Sequence, residues 1–136
     1  MRERTTIDVI LVEPRKPPQL VTLEDSLEAM QNAVKGQIEP YMPFGDEVAL
    51  VCNEDGKWQR MELNRAIYNE EGQMMDIIAG PFFIAYAPIG SEYYLSLPEN
   101  LREKYMEKFK HPEMFMRSNT GIVAIPIIDA REDFER

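Results

Sequence analysis

Hydrophobic residues of this chain are concentrated in two runs, Val48–Cys52 and Ile77–Tyr86, and a polar stretch separates them. Short apolar runs bounded by turn-forming residues are typical of buried strands. The pattern therefore predicts strands that hold a polar loop. Four polar side chains stand at the strand ends or in the adjoining loops: Asn53, Asn64, Arg65 and Asp76.

The N-terminal part of the pattern predicts a strand pair followed by a helix. Thr6–Glu13 and Leu20–Leu23 are apolar and β-branched, and prolines stiffen the connection between them. Asp25 is positioned to cap the helix, Glu28 completes a capping box, and Gly36 is positioned to end the helix. The apolar face of this helix has members three or four residues apart: Leu23, Leu27, Met30 and Val34.

The middle of the chain predicts further strands joined by turns. Gln37–Met42 and Glu47–Cys52 are expected to be strands. Asn53–Gly56 is a turn signal in which Asp-Gly supplies a positive φ, and Lys57–Leu63 is the expected second arm of that hairpin. Asn64–Tyr68 is interpreted as a short helical turn.

The C-terminal part predicts a long strand, a helix and a last strand. Met75–Ala87 is expected to be one strand with a bend at Gly80. A helix is expected over Leu97–Lys110, with Ser96 opening a capping box, and Gly121–Asp129 is one more strand. The buried stripe of that helix repeats every four residues: Leu97, Leu101, Tyr105 and Phe109.

These elements predict an α+β fold, a small mixed or mainly antiparallel sheet of five or six strands packed with two helices. At 136 residues the chain has the size of one ordinary domain. We assign residues 1–110 to a single α+β domain and residues 111–136 to a C-terminal extension packed on the same domain. Ala130–Arg136 is charged and is expected to fray or to end in a helical turn.

Composition narrows the class of protein. With 44% hydrophobic and 29% charged residues, it is that of a soluble globular protein. The net charge of −9 argues against a nucleic-acid partner, because nucleic-acid affinity depends on Lys and Arg neutralising phosphates. A single cysteine excludes a disulfide within the chain, and no run is long enough for a signal peptide or membrane span. We therefore expect a cytoplasmic protein that binds neither nucleic acid nor membrane.

The common catalytic and metal-binding patterns are missing from the sequence. Cys52 ends an apolar strand and His111 is the only histidine, so we expect an inert buried thiol rather than a catalytic dyad. One Cys and one His cannot form a zinc site, and the acidic groups lack the alternation of a calcium loop. Phosphate-binding glycine motifs are also missing. The sequence predicts no catalytic residues, no metal and no cofactor.

The best candidates for a polar binding site are Asn53, Asn64, Arg65 and Asp76. Asparagine offers paired donors and acceptors, and the planar arginine fork suits phosphate or carboxylate. A structural alternative is open for each residue. Asn53 is a good turn residue, Asn64 is a good helix N-cap, and Arg65 is able to pair with Asp76.

A second candidate is a Met- and aromatic-rich interaction surface near the C-terminus. It comprises Tyr105, Phe109, Met114, Phe115 and Met116. Such side chains repack readily against a partner, although core packing is the alternative explanation. If Gly121–Asp129 leaves an edge strand free, strand addition offers a route to dimers.

Three motifs, in their order and rough spacing, resemble a known family. They are Cys52–Glu54 at a strand end, the element Asn64–Ala66, and the aspartate-led apolar strand Asp76–Phe83. From about Thr6 to Lys110 the chain resembles the small bacterial and phage proteins grouped as the domain of unknown function DUF3846. The resemblance implies an accessory protein of mobile elements and their hosts, with roles in phage–host conflict, and it implies no particular chemistry.

We predict a non-enzymatic accessory binding protein of phage or mobile-element type that acts through a protein partner or by self-assembly into homo-oligomers. The alternative is a small-ligand binder that sequesters a phosphorylated, nucleotide-like signalling molecule, with Arg65, Asn53 and Asn64 as polar contacts. The acidic composition weighs against this alternative, because phosphate prefers a positive pocket. An enzyme with a carboxylate pair such as Glu70 and Asp76 is the third hypothesis.

Overall fold

A computed structural model of the protein describes residues 5–128, and these residues form nine strands and two helices. The strands are β1 Thr6–Val12, β2 Gln19–Glu24, β3 Ile38–Tyr41, β4 Val48–Asn53, β5 Leu63–Tyr68, β6 Met74–Ala79, β7 Phe82–Tyr86, β8 Glu113–Ser118 and β9 Gly121–Pro126. The helices are α1 Leu27–Val34 and α2 Glu99–Lys108. The predicted α+β fold with two helices is confirmed.

The main sheet has five strands in the order β2-β1-β7-β4-β3, and every neighbouring pair is antiparallel. Strand β7 is central although it is the last of the five in the chain. Its Ile84 lies opposite Ile10 of β1 on one side and Leu50 of β4 on the other. Strands β5 and β6 form a separate hairpin, as do β8 and β9.

The main sheet is buried on both faces, since alternate residues of its strands enter two different apolar cores. On one face Val9, Val51 and Phe83 pack with Met30 and Val34 of α1. The other face packs against α2 and the β5–β6 hairpin, and its core includes Ile10, Leu50, Ile67, Ile78, Phe82, Ile84, Tyr105 and Phe109. The result is three layers with the sheet in the middle.

Helix α1 begins one residue later than the sequence predicts. Ser26, not Asp25, is the N-cap, and its Oγ accepts a hydrogen bond from the Ala29 N–H at 3.1 Å. The helix ends at Lys35, which has the left-handed φ of 64°, one residue before the expected Gly36. Leu27 was expected on the buried face but is exposed, so the apolar contact of α1 comes from Met30 and Val34.

Residues 54–68 differ most from the prediction. Residues 54–60 form consecutive turns instead of a hairpin arm, and Leu63–Tyr68 is strand β5 rather than a helical turn. Gly56 has no positive φ. A Cβ at Gly56 would lie 2.6 Å from the Ala79 carbonyl oxygen, so this glycine allows a close approach of two backbones.

The segment predicted as one bent strand is two strands in different sheets. Strand β6 pairs with β5, whereas β7 lies between β1 and β4. Gly80 separates them with φ 81°, a conformation that favours glycine, and Pro81 follows. The chain therefore leaves the hairpin at Gly80 and enters the main sheet at Phe82.

Helix α2 keeps its predicted buried stripe but not its predicted cap. Leu97, Tyr105 and Phe109 are buried and Leu101 is partly buried. Pro98 is the N-cap without a side-chain hydrogen bond. Ser96 Oγ instead accepts the Asp8 N–H at 2.7 Å and so joins the start of α2 to β1.

The chain after α2 forms the β8–β9 hairpin, which we call the ribbon (residues 113–126). Glu113 Oε1 accepts the Ala66 N–H at 2.7 Å, so the base of the ribbon is bonded to β5. The predicted last strand corresponds to β9, while residues 129–136, including the expected fraying of Ala130–Arg136, lie outside the described residues. Neither helix of residues 5–128 combines the length and the apolar character that crossing a bilayer requires.

Candidate functional site

Asn53 closes the end of helix α1. It is the last residue of β4, and its side chain lies on the α1 face of the sheet. Its Nδ2 donates to the Val34 and Lys35 carbonyls, each at 3.1 Å, and its Oδ1 accepts the Asp55 N–H at 2.8 Å. These carbonyls have no partner within the helix, so the amide supplies the missing donor. The predicted turn role of Asn53 is thus present, together with a helix-capping role.

Asn64 and Arg65 form a buried polar pair where three parts of the chain meet. Asn64 Nδ2 donates to the Val12 and Gly80 carbonyls, each at 2.9 Å, and Asn64 Oδ1 accepts from Arg65 Nη1 at 2.9 Å. Asn64 lies on a strand, so the alternative of a helix N-cap is wrong.

Arg65 is only 1% exposed, and its guanidinium makes five hydrogen bonds. Nε and Nη2 donate to the Phe109 carbonyl at 3.2 and 3.0 Å, which fixes the end of α2. Nη2 also donates to the Lys16 carbonyl at 2.8 Å, and Nη1 donates to the Asn64 carbonyl at 3.3 Å. The donors are used by the protein itself, and little of the fork is open to a ligand.

Burial sets the electrostatics of this pair. It lowers the pKa of Arg65 to about 10, and the nearby Glu113 carboxylate acts in the opposite direction. The pKa of Glu113 is raised by its own burial, while the Ala66 N–H and Arg65 lower it. Arg65 remains a cation at neutral pH, and Glu113 is the nearby carboxylate that helps to compensate it.

Asp76 lies at the surface and pairs with Lys57 rather than with Arg65. Its Oδ1 also accepts the Ile77 N–H at 2.8 Å. The alternative of an Arg65–Asp76 ion pair is therefore wrong. Lys57, the partner of Asp76, lies in the turns after β4, where the sequence predicted the second arm of a hairpin.

Asn53 and Asp76 both line a cleft of about 370 Å³ between β3, β6 and the turns after β4. Trp58 lies at this cleft and is 88% exposed. Burial raises the pKa of Tyr41 in the cleft, and the Asp76 charge adds to the effect. The structure therefore separates the four predicted residues into a buried pair, Asn64 with Arg65, and two residues of an open cleft.

Cys52 lies beside the same cleft as a buried thiol. Burial raises its pKa to about 12, and the charges of Glu39 and Asp76 act in the same direction. Because the thiolate is the reactive form, this shift disfavours reaction of Cys52 at neutral pH. Within residues 5–128 the carboxylate, histidine and cysteine side chains form no group of three able to hold a metal ion.

The predicted interaction surface divides into a buried part and an exposed part. Tyr105 and Phe109 are core residues, so their assignment to a surface is wrong. The Tyr105 hydroxyl donates to Asp46 at 2.8 Å, and the Phe109 ring meets Phe82 edge-on at 5.5 Å. In the sequence, Tyr105 and Phe109 follow Leu97 at multiples of four residues, and this spacing is typical of the buried face of a helix.

The methionines of β8 belong to an exposed apolar surface that the sequence interpretation only partly found. Met114 lies opposite Ile125 and Met116 opposite Val123, and directly opposite side chains share one face of a hairpin. These residues, the outer ribbon face, are 37% to 54% exposed: Met114, Met116, Val123 and Ile125. Phe115 alternates with them and is partly buried on the other face. Strand β9 is a continuous apolar run, GIVAIP, so no alternation in the sequence distinguishes Val123 and Ile125 from their neighbours.

Most of the chain matches a family model. The family model of the domain of unknown function (DUF3846) matches residues 7–110, which is most of the 136-residue chain. The chain is therefore a member of the DUF3846 family, and the ribbon follows the matched region. Searches of curated proteins and of solved structures found no match.

Proposed function

We propose that this protein is a non-catalytic binding protein that acts by protein contact through the outer ribbon face. The observation that carries the proposal is the pair of apolar cross-strand contacts, Met114 with Ile125 and Met116 with Val123, turned to solvent. A hairpin packed on one face normally presents polar side chains on the other face. An apolar outer face of this kind is typical of an interaction site.

Energetics support a contact at this face. Completing the burial of one half-exposed apolar side chain stabilises a complex by about 1 kcal/mol. Four such side chains in one patch, two of them methionines that adapt to the shape of a partner, are enough for the centre of a small interface.

We further propose that the protein is a cytoplasmic accessory protein of phages or mobile elements. The resemblance to small bacterial and phage proteins implies this context, and the chain belongs to the family that the resemblance named. The net charge of −9 favours a protein partner over nucleic acid.

The alternative of a nucleotide-like ligand has less support. It relied on Arg65, whose hydrogen bonds go to the carbonyls of Phe109, Lys16 and Asn64 and to the Asn64 side chain. The open cleft at Trp58 carries the carboxylates of Glu39 and Asp76, and these repel a phosphate. We therefore do not favour phosphate recognition.

The test combines native mass spectrometry of the full chain with a variant of the outer ribbon face. The double substitution Met116→Gln and Val123→Thr is expected to weaken a complex, with itself or with a co-purified protein, by about tenfold or more. Ile89→Thr is the matched control, because Ile89 is an apolar side chain that is 94% exposed and lies in the loop after β7, outside the ribbon. A wild-type protein that stays monomeric and without a partner contradicts the proposal. Equal loss of the complex in the control also contradicts it.

A further inference from the structure

Within residues 5–128, strand β9 pairs only with β8, so its second edge has no strand partner in the described part of the chain. In the pairing with β8, Met114 lies opposite Ile125 and Met116 lies opposite Val123. The Ile127 N–H donates to the Pro112 carbonyl at 2.7 Å, so the backbone groups of Ile127 point toward β8. Along a strand the backbone groups of every second residue point to the same side. Val123 and Ile125 therefore point their N–H and C=O groups toward β8. Those of Ile122 and Ala124 point away from it.

We propose that β9 pairs antiparallel with β9 of a second copy of this chain, about a two-fold axis at Val123. In this register Ile122 of each copy lies opposite Ala124 of the other, and the two residues exchange both hydrogen bonds. The dimer contains two such Ile122–Ala124 pairs. Together they form four N–H···O=C bonds, which use the outward backbone groups of both residues in both copies. This inference rests on the proposed function and names the second copy as the partner at the edge.

Pro126 selects this register. Like Ile122 and Ala124, Pro126 lies at a position whose backbone groups point away from β8, but it has no N–H. The carbonyl of a residue placed opposite Pro126 in the second copy would therefore lack a hydrogen-bond donor. Moving the axis to Ala124 or Ile125 places Pro126 opposite Ile122 or Ala124 of the other copy. With the axis at Val123, Pro126 lies opposite Thr120, whose N–H already donates to Ser118 Oγ.

Charge favours a second copy at this edge. Two molecules of net charge −9 repel each other, and the repulsion is smallest where a surface carries no ionised groups. Residues 121–128 contain no charged side chain, whereas β8 carries Glu113 and Arg117. An isologous contact also requires a patch that matches itself, and an antiparallel edge strand does so.

The paired ribbons form a four-stranded sheet in which both outer ribbon faces lie on the same side. This follows because directly opposite residues such as Val123 and its copy point to one face. The dimer thereby doubles the apolar surface that the proposed function uses.

The test is disulfide trapping of the full chain. Val123 faces its own copy in a non-hydrogen-bonded pair, where the Cα atoms are about 4.5 Å apart. A disulfide spans this distance, so Val123→Cys should give a covalent dimer on mild oxidation. Ile125→Cys is the matched control on the same strand and face. Its Cα atoms would be separated by four residues, roughly 13 Å, which is beyond the reach of a disulfide. Buried Cys52 does not compete.

A second variant tests the hydrogen bonds. Ala124→Pro removes an outward N–H and leaves the β8–β9 bonds intact, in a strand that already accepts Pro126 at an equivalent position. We expect the dimer dissociation constant to rise by at least about tenfold, while Ala124→Ser leaves it unchanged. Trapping of both cysteine variants, or of neither, overturns the inference.

The outcomes also separate the two proposals. If the double variant loses a foreign protein partner and Val123→Cys is not trapped as a dimer, the dimer is overturned and the proposed function is retained. Trapping of Val123→Cys, with no effect of the double variant on any complex, retains the dimer and contradicts the role of the outer ribbon face.

Discussion

At the scale of single residues, buried polar side chains of this protein replace missing backbone partners. Asn53, Asn64 and Arg65 all donate to carbonyls outside their own strands. A buried carbonyl without a donor costs about 1–3 kcal/mol, so each of these side chains stabilises the junction that it bridges. Polar character in the sequence therefore marks structural junctions here.

Arg65→Lys is expected to destabilise the fold strongly. Lysine retains the charge, but its ammonium cannot reach the Phe109 and Lys16 carbonyls together with Asn64 as the planar fork does. We expect the free energy of unfolding to fall by about 3 kcal/mol or more, measured by urea denaturation.

Arg117→Lys is the control, since Arg117 is exposed on β8 and should change stability by less than about 0.5 kcal/mol. A stable Arg65→Lys protein that loses affinity for an anionic ligand would instead support the ligand-binding alternative.

At the scale of elements, hairpin β5–β6 and sheet strand β7 depend on one glycine. Gly80 has φ 81°, and a Cβ there would lie 2.8 Å from Met61 Sδ. Both its backbone conformation and its surroundings therefore exclude a side chain, although the contact with a flexible methionine is the easier of the two to relieve.

Gly80→Ala should lower the free energy of unfolding by about 1–3 kcal/mol, as measured by thermal or urea denaturation. Gly72→Ala is the matched control for backbone strain, because Gly72 has φ 79° but open space around the added Cβ. Measured in a Met61→Ala background, where the steric contact is gone, Gly80→Ala should cost no more than Gly72→Ala costs in the wild type. An equal cost of Gly80→Ala with and without the Met61 side chain would show that Met61 contributes nothing.

The sequence predicted elements whose partners are close in the chain or whose pattern is periodic. The structure contains three elements of this kind that the sequence predicted: the β1–β2 pair, strand β4 and the buried stripe of α2. Strand β5 takes the place of the predicted helical turn, for which Asn64 is a suitable N-cap residue. The hydrogen-bond partners of Asn64 and Arg65 are Val12 and Phe109, which are 52 and 44 residues away in the chain. A local pattern does not contain contacts of that range. For the same reason the sequence left open an Arg65–Asp76 ion pair, whereas Asp76 pairs with Lys57.

At the scale of the whole molecule, Asp46 joins the loop between β3 and β4 to helix α2. Its carboxylate accepts from Lys104 and from the Tyr105 hydroxyl, and these hydrogen bonds lower its pKa below the usual 3.8. Glu113 differs, because burial raises its pKa above the usual 4.5.

Stability should therefore depend on pH in two opposite ways. A lowered folded pKa means that the contribution of Asp46 is complete above pH 3.8 and is lost as the pH falls through its folded value. A raised folded pKa means that ionisation of the Glu113 carboxyl lowers the stability of the fold at neutral pH, and that this cost is relieved as the pH falls toward 4.5.

Urea unfolding across the acidic range measures both effects. Asp46→Asn should flatten the loss of stability below pH 4, and Glu113→Gln should remove the gain between neutral pH and about 4.5. Identical pH profiles for wild type and both variants would contradict these assignments.

The central position of β7 has a consequence for biosynthesis. A nascent polypeptide emerges from the ribosome with its N-terminal strands first, and β1 and β4 are both bonded to β7. Until Phe82–Tyr86 has been translated, the β1–β2 and β3–β4 hairpins have no shared neighbour. The domain therefore completes its core only after β7 has been translated. Before that point the two earlier hairpins have unpaired edges, which chaperones can protect.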